Sequence, residues 1–86
     1  MHYVYFLKNE SGEIYIGCTS DLRKRLIEHN RGYSNYTRGH QWKLVYYEAY
    51  FSRIDAETRE KRLKYHGQAL AQLKRRIKKS FLSVQS

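Results

Sequence analysis

Apolar and polar positions alternate near the start of the chain in a way that predicts a β-hairpin. Residues 3–7 are rich in strand-forming side chains, and residues 13–16 repeat the pattern. Between them lie Asn9-Glu10-Ser11-Gly12, which are turn-forming residues. The two isoleucines of Ile14-Tyr15-Ile16 share one face of the strand, so Tyr15 points to the other face. We expect Gly17 to end this strand and to permit a tight turn into a helix.

The next segment has the signals of a helix start. Ser20 is predicted as the N-cap, and Asp21 in the first turn suits the helix dipole. Leu22 and Leu26 are spaced i, i+4 and form a stripe that can be buried. Gly32 is a suitable C-terminal stop.

A third strand and two further helices complete the pattern. Residues 31–42 have no clear periodicity and predict a loop, whereas residues 44–51 form the most hydrophobic strand. We expect that strand at the centre of an antiparallel sheet. Ser52 begins a second helix that Gly67 ends, and a third helix follows from about Gln68. Its apolar face carries Leu70, Leu73, Ile77 and Phe81. The pattern predicts one α+β domain over residues 1–86, a three-stranded antiparallel sheet flanked by helices.

Charge changes this picture by indicating a partner. The chain has 17 Lys and Arg residues against eight acidic ones, and residues 59–86 hold nine of the bases with a single acid, Glu60. A basic region accompanied by nine tyrosines favours nucleic acid as the partner. The alternative is a solvated surface that only keeps a small protein soluble.

Other classes of protein fit the composition poorly. The single Cys18 cannot form an intramolecular disulfide, and no His/Cys spacing resembles a zinc site. The longest uncharged stretch, residues 65–73, is far shorter than the ~20 residues that span a bilayer. No secretory leader is recognised at the N-terminus. We therefore expect a cytoplasmic protein with no membrane partner and no small-molecule cofactor.

Four residues stand out as candidates for chemistry, and each has a plainer alternative. Pairing in the hairpin puts Tyr5 and Tyr15 on one face, which can equally be a cross-strand aromatic pair. Arg25 lies near the edge of the buried stripe of its helix, where it can also lie along the surface with its head in water. Glu60 shares a helix face with small and apolar residues, and its alternative is a salt bridge to Lys64 at i+4.

Taken in order, these residues resemble a known family. Val4-Tyr5, then Tyr15-Ile16-Gly17, then Leu22-x-x-Arg25-Leu26 is similar to a GIY-YIG endonuclease domain. The similarity continues through residues 29–37 and 44–48 and ends with Ala56-x-x-Arg59-Glu60-Lys61-x-x-Lys64. The similarity extends over nearly the whole chain, and the motif pattern resembles that of the small, stand-alone members of the family. Two positions depart from it, because Tyr3 replaces the first glycine and Cys18 replaces a lysine that many repair-type members carry.

The resemblance implies a fold, an activity and a site. It implies a three-stranded antiparallel sheet with helices and cleavage of DNA phosphodiester bonds with a divalent metal, Mg²⁺ or Mn²⁺. The family's catalytic positions fall on Tyr5, Tyr15, Arg25 and Glu60, with Glu60 as the metal ligand. In chemical terms, a cation on the carboxylate would stabilise the leaving oxygen, and Arg25 would hold the phosphate. One of the two phenols would position or deprotonate the attacking water, and the sequence leaves open which one.

Further residues are predicted to contact the substrate. In the loop, Tyr33, Tyr36 and His40 could stack on unpaired bases while Arg38 meets a phosphate. Trp42 could stack as well or could simply cover the core. Gly17 and His29 lie close to the catalytic positions in the motif pattern, and we predict that they also bind the substrate. The basic face of the third helix offers Lys74, Arg75 and Lys78 for backbone contacts.

The sequence therefore predicts a small metal-dependent endonuclease that is structure-selective or weakly sequence-specific. DNA is the expected partner ahead of RNA. The alternative is a non-catalytic or partner-dependent DNA- or RNA-binding module on the same fold.

Overall fold

A computed structural model describes residues 1–32 and 37–82 of the chain. Three strands and four helices follow one another in the order β1, β2, α1, β3, α2, α3, α4. Their bounds are β1 His2–Asn9, β2 Ile14–Thr19, α1 Leu22–Asn30, β3 Trp42–Tyr50, α2 Arg53–Tyr65, α3 Gly67–Arg76 and α4 Lys78–Leu82. The predicted α+β class and the antiparallel three-stranded sheet are confirmed.

The centre of the sheet is β1, with β2 and β3 on either side. The prediction that the third strand is central was wrong. Residues Val4 to Asn9 of β1 are all buried because the strand has neighbours on both edges, whereas β3 alternates along its length and leaves Tyr47 52% exposed. A β-bulge between Phe6 and Leu7 shifts the pairing with β3. High hydrophobicity in β3 reflects aromatic residues on both of its faces.

The sheet separates two apolar clusters. One face packs Val4 and Phe6 against Ala56 and Leu63 of α2 and Leu73 of α3. Alternation along β1 places Tyr5 and Leu7 on the other face. These two residues pack with Trp42, and Leu22 and Leu26 of α1 cover them. The predicted stripe on α1 therefore faces the sheet, and α1 and α2 lie on opposite sides of it.

Two helix boundaries differ from the prediction. The N-cap of α1 is Asp21, not Ser20, because the Asp21 carboxylate accepts a hydrogen bond from the Lys24 amide at 3.0 Å. Gly67 does not end α2, which stops at Tyr65; Gly67 is the first residue of α3. Gly32, by contrast, follows the end of α1 with a φ of 78° and bonds back to the His29 carbonyl, as predicted.

The third predicted helix is interrupted. It divides at Ile77, whose φ of −112° and ψ of 31° are not helical, into α3 and the short α4. Lys8, which is buried, donates a hydrogen bond of 2.8 Å to the carbonyl oxygen of Phe81 in α4. Ile77 and Phe81 both pack against the apolar cluster on the face of the sheet that α2 covers. Among the described residues, no helix is long and apolar enough to cross a membrane.

A polar clamp joins α2 to β3. Glu48 accepts two hydrogen bonds from the Arg59 guanidinium, at 2.9 and 3.1 Å. The phenols of Tyr46 and Tyr50 donate to the same carboxylate at 2.7 and 2.6 Å. Burial alone would raise the pKa of Glu48, but the hydrogen bonds from Arg59 and the two phenols outweigh it and hold that pKa below its ordinary value. The carboxylate is therefore ionised and fully bonded in the folded protein.

We expect Glu48→Gln to destabilise the fold by about 1–3 kcal/mol, because the amide cannot accept four hydrogen bonds. A carboxyl whose pKa is lowered by folding stabilises the protein above its unfolded pKa, about 4.3, and loses that contribution as the pH falls through the folded value. The wild type should therefore lose stability on acidification more steeply than the variant does. Urea unfolding between pH 7 and pH 3 measures both effects.

The matched control is Glu57→Gln, which removes the same charge from an exposed ion pair with Arg53. It should cost less than about 1 kcal/mol at pH 7. A Glu48→Gln protein as stable as this control would show that the clamp does not hold α2 on the sheet.

Candidate active site

The site begins with Tyr5, a tyrosine that is buried in the centre of the sheet. Only 2% of its surface is exposed, and its hydroxyl lies 2.9 Å from Nε2 of His29 on α1. Nδ1 of the same imidazole lies 2.8 Å from the hydroxyl of Thr37. Burial, followed by the charge of Arg25, lowers the pKa of His29, so the ring is neutral at neutral pH.

The two hydrogen bonds of the imidazole run in one direction, because a neutral ring has one N–H donor and one acceptor nitrogen. Either the Tyr5 hydroxyl donates to Nε2 and Nδ1 donates to Thr37, or the Thr37 hydroxyl donates to Nδ1 and Nε2 donates to the Tyr5 oxygen. Burial raises the pKa of Tyr5 far above that of an ordinary phenol, against the opposing influence of the nearby Arg25 guanidinium. Tyr5 is therefore protonated, hydrogen-bonded to the buried histidine and close to Arg25.

Gly17 makes room for this phenol. It lies directly opposite Tyr5 in the β1–β2 pairing, and a Cβ built at position 17 would overlap the hydroxyl and Cζ of Tyr5. The expectation that Gly17 ends the strand was wrong, because β2 continues to Thr19. Position 17 also lacks a positive φ, so no tight turn requires the glycine. The missing side chain serves packing across the hairpin.

Tyr15 lies on the same face of the sheet as Tyr5. The two ring centroids are 6.2 Å apart. The Tyr15 ring also packs against His29 at 4.7 Å and against Trp42 at 6.2 Å. Unlike Tyr5, it retains solvent exposure. The cross-strand aromatic pair that the sequence left as an alternative is thus present, and its outer member reaches the protein surface.

Arg25 approaches the phenols from α1. Its Nη1 atom lies 3.2 Å from a carboxylate oxygen of Glu28, and its side chain is 35% exposed. The guanidinium therefore has one side on the Tyr5 hydroxyl and another towards solvent. An arginine in this position can present its remaining N–H groups to a phosphate.

Glu60 reaches the site from the opposite face of the sheet, across the edge formed by β2. Its Oε2 atom lies 3.1 Å from Nζ of Lys64, and the same Nζ lies 6.0 Å from the centre of the Tyr15 ring. The distance from Oε2 of Glu60 to the centre of the Tyr15 ring therefore cannot exceed the sum of these two distances. The salt bridge that the sequence left as an alternative exists, and it places Glu60 close to Tyr15.

An open groove surrounds Glu60 on its other side. This Glu60 groove has a volume of about 400 Å³ and is lined by His2, Cys18, Thr19, Ser20, Arg53, Glu57 and Glu60. Burial, followed by the charges of Glu60 and Glu57, raises the pKa of the Cys18 thiol, which agrees with carboxylates facing the β2 edge. Two carboxylates beside solvent suit Mg²⁺ or Mn²⁺, which take one or two protein oxygens and complete their shell with water and phosphate. Residues 1–32 and 37–82 contain no group of three or more potential metal ligands.

The residues predicted to contact substrate are distributed over several places. Arg38 is exposed and bonds to the Gly32 carbonyl at 3.3 Å, whereas His40 is held 3.0 Å from Glu10 in the hairpin turn. His29 is fully buried behind Tyr5, which leaves it no surface for direct contact with a substrate. Trp42 belongs to the core, where its indole donates to the Thr37 carbonyl at 2.9 Å. Tyr33 and Tyr36 lie outside the described residues.

Two of the three helix bases share a second groove. Lys74 and Lys78 line a space of about 240 Å³ together with Lys8, Gly12, Ile14, Phe81 and Leu82, which we call the lysine groove. Arg75 is exposed but does not line it. The break at Ile77 between α3 and α4 falls between the two lysines.

Two residues of this site were part of the family motifs but were given no role in the chemistry. Thr37, at the end of the motif over residues 29–37, holds the far side of the His29 ring. Lys64, the last residue of the Glu60 motif, was otherwise named only as a salt-bridge partner of Glu60, and that salt bridge is present. What the i, i+4 spacing could not indicate is the second contact of Lys64, with the Tyr15 ring, because that contact crosses from one side of the sheet to the other.

A half-buried phenol, a buried phenol beside an arginine, and a carboxylate at an open sheet edge thus lie together in a small α+β domain. A family model, the GIY-YIG catalytic domain, matches residues 1–75. The chain therefore belongs to the GIY-YIG family within the nuclease superfamily, and membership implies a nucleic acid substrate. No solved structure matches the chain significantly.

Curated relatives are consistent with this assignment. A UPF0213 protein of Clostridium perfringens is 44% identical over 62 residues, which cover 70% of this chain and 67% of the relative. A UPF0213 protein of Bacillus pumilus is 42% identical over 65 residues, which cover 73% of this chain and 66% of the relative. One from Streptococcus pneumoniae is 39% identical over 83 residues, 94% of this chain and 77% of the relative. These names state no activity.

We expect Gly17→Ala to destabilise the protein by about 1–3 kcal/mol, because the new methyl group must displace the buried Tyr5 ring. Shortening Tyr5 should remove much of that cost, so Gly17→Ala should be less harmful in a Tyr5→Leu background. Chemical unfolding of the four proteins in this double-mutant cycle measures the coupling.

Gly67→Ala is the matched control, since a Cβ at position 67 meets no atom within 4 Å. It should be neutral or slightly stabilising. Additive losses in the cycle would mean that Gly17 is not required by the Tyr5 phenol.

Proposed function

We propose that this protein is a divalent-metal-dependent endonuclease that hydrolyses DNA phosphodiester bonds. One observation carries the proposal: the Lys64 ammonium contacts the Glu60 carboxylate and lies beside the Tyr15 ring. It joins a potential metal ligand on one side of the sheet to a partly exposed phenol on the other. Phosphodiester cleavage needs these groups together, because the attacking water and the departing oxygen lie on opposite sides of one phosphorus atom.

The two tyrosines have different roles in this proposal. Tyr5 is buried, its pKa is raised, and its hydroxyl is hydrogen-bonded to His29, so it serves as a positioning residue for Arg25. Tyr15 retains solvent exposure and lies beside the Lys64 cation, so it is the phenol that orients the attacking water. The burial of Tyr5 and the partial exposure of Tyr15 thus support Tyr15 as the catalytic phenol.

Arg25 and Glu60 supply the electrostatic part. Arg25 presents its free N–H groups to the non-bridging oxygens and stabilises the charge that grows on them. Glu60 would hold a divalent cation, and Glu57 lies in the same groove but is paired with Arg53 at 2.8 Å. Such a cation, when bound, supplies Lewis-acid stabilisation of the leaving oxygen.

The arrangement supports weak sequence specificity. The groups described here address phosphate oxygens, and phosphate contacts carry no direct information about base sequence. The net charge of +9 favours binding to any polyanion. Discrimination between substrates would then follow from the shape and pairing of the nucleic acid strand.

The test is cleavage of end-labelled single-stranded, duplex, flap and branched DNA, and of single-stranded RNA, with Mg²⁺ or Mn²⁺. We expect DNA products that a chelator abolishes. Glu60→Gln, Arg25→Gln and Tyr15→Phe should each reduce the rate by about a hundredfold or more. Glu57→Gln should reduce it much less.

Equal products from the wild type and all three variants would indicate a contaminating nuclease and remove the proposal. Salt-dependent binding of DNA without any cleavage would instead support the alternative of a binding module. Cleavage of RNA alone would correct the substrate class.

Lys64→Met provides a separate check on the metal ligand, using Mn²⁺ and no DNA. Removing the ammonium beside Glu60 should strengthen Mn²⁺ binding by about tenfold, because a divalent ion no longer competes with a fixed positive charge. Titration monitored by water proton relaxation measures the affinity.

The control is Lys61→Met, which removes an equally charged, exposed side chain from the same helix. It should change the affinity little, and Glu60→Gln should abolish the binding. If Glu60→Gln binds Mn²⁺ as the wild type does, Glu60 is not the metal ligand.

A further inference from the structure

A third groove shares Tyr15 and Lys64 with the candidate site and extends beyond them over residues that take no part in the proposed chemistry. It has a volume of about 410 Å³ and is lined by Ile14, Tyr15, Ile16, Leu63, Lys64, Tyr65 and Leu70. We call it the Tyr65 groove. Its walls are the edge strand β2 on one side and the corner between α2 and α3 on the other.

Of the two aromatic rings that line this groove, that of Tyr65 is the more exposed. Tyr65 is the last residue of α2, and 76% of its surface is accessible. Ile14, Ile16 and Leu70 are only partly buried and provide an apolar floor. An exposed aromatic ring over an apolar floor accepts a flat, hydrophobic group.

The groove is continuous with the candidate active site. Tyr15 and Lys64 belong to its lining and are also the phenol and the cation next to Glu60. A group that occupies the Tyr65 groove is therefore adjacent to any phosphate held at the site.

The Tyr65 groove also adjoins the lysine groove, because Ile14 belongs to the lining of both. In the lysine groove, Lys8 donates a hydrogen bond of 2.8 Å to the Phe81 carbonyl oxygen, whereas Lys74 and Lys78 are exposed. Beyond the flat apolar surface there are thus two cations on the same side of the molecule. A ligand that carries flat rings and regularly spaced anionic groups matches this order.

We propose that the Tyr65 groove binds an unpaired nucleobase of the substrate strand next to the cleaved phosphate, with the following phosphates at Lys74 and Lys78. The assignment of the neighbouring phosphate rests on the function proposed above. A base in a duplex is stacked on both faces and paired along its edge, so only an unpaired base can place its ring against Tyr65. Stacking of this kind tolerates any base sequence. The groove therefore selects single-stranded segments, flaps or gaps over continuous duplex.

The experiment compares Tyr65→Ala with the wild type in binding a single-stranded oligonucleotide that carries a fluorescent base analogue, without metal. Stacking should quench the analogue in the wild type. Tyr65→Ala should lose the quenching and bind about five- to hundredfold more weakly, from 1–3 kcal/mol per stacked base. Binding to an equally long duplex should change less than twofold, and Tyr65→Trp should restore single-strand binding.

Phe51→Ala is the matched control. Phe51 is an aromatic residue with 93% exposure that lines none of the three grooves. It should leave single-strand binding unchanged. Lys74→Gln with Lys78→Gln should reduce the slope of log affinity against log salt by about 0.7 for each lysine.

Three other outcomes would overturn the proposal. If Tyr65→Ala binds the single strand as well as the wild type, the groove does not hold a base. If it weakens duplex binding equally, the contact does not select unpaired strands. If instead it converts a dimeric wild type into monomers in sedimentation, a second copy of the chain covers the groove. Because binding is measured without metal, a wild type that binds as expected but never cleaves would refute the proposed function and leave this inference supported.

Discussion

The bidentate pairing of Arg59 with Glu48 is the constraint on which the position of the candidate site depends. Arg59 points to β3, and the next residue, Glu60, is rotated by about 100° around the helix axis. Fixing the direction of Arg59 therefore fixes the direction of Glu60, which faces β2 at the other edge of the sheet. The two phenols that complete the clamp leave the Glu48 carboxylate with no need for other partners.

This constraint allows a site to be assembled from both sides of a thin sheet. Tyr5 and Tyr15 lie on the face that α1 covers, whereas Glu60 belongs to the helix on the other face. They meet because β2 is an edge strand, so a long side chain can pass around it. Lys64 does so, and its contacts with Glu60 and Tyr15 keep a positive charge at the point where a phosphate would bind. Replacement of a motif lysine by Cys18 therefore does not leave the region without a cation.

Much of the fold was predictable from the sequence, because the hairpin, the α1 stripe and the third strand depend on local patterns. Strand order was not, since hydrophobicity does not distinguish a strand buried by two neighbours from one that carries aromatics on both faces. The break at Ile77 also escaped prediction, because the apolar spacing continues through it while the backbone changes direction. Ser20 was predicted as the cap of α1, and only the hydrogen bond from the Lys24 amide shows that the Asp21 carboxylate takes this role.

The sequence by itself determined which chemical groups are available: two phenols ten residues apart, an arginine, a single acid in a basic segment, and motifs that resemble a nuclease family. The tertiary structure alone decided how the groups differ. It buried Tyr5 against Gly17 and His29, left Tyr15 at the surface, and brought Lys64 around the sheet edge. The physical reason is that spacing along a chain specifies neighbours within one strand or helix, whereas burial and contacts across a sheet depend on how those elements pack.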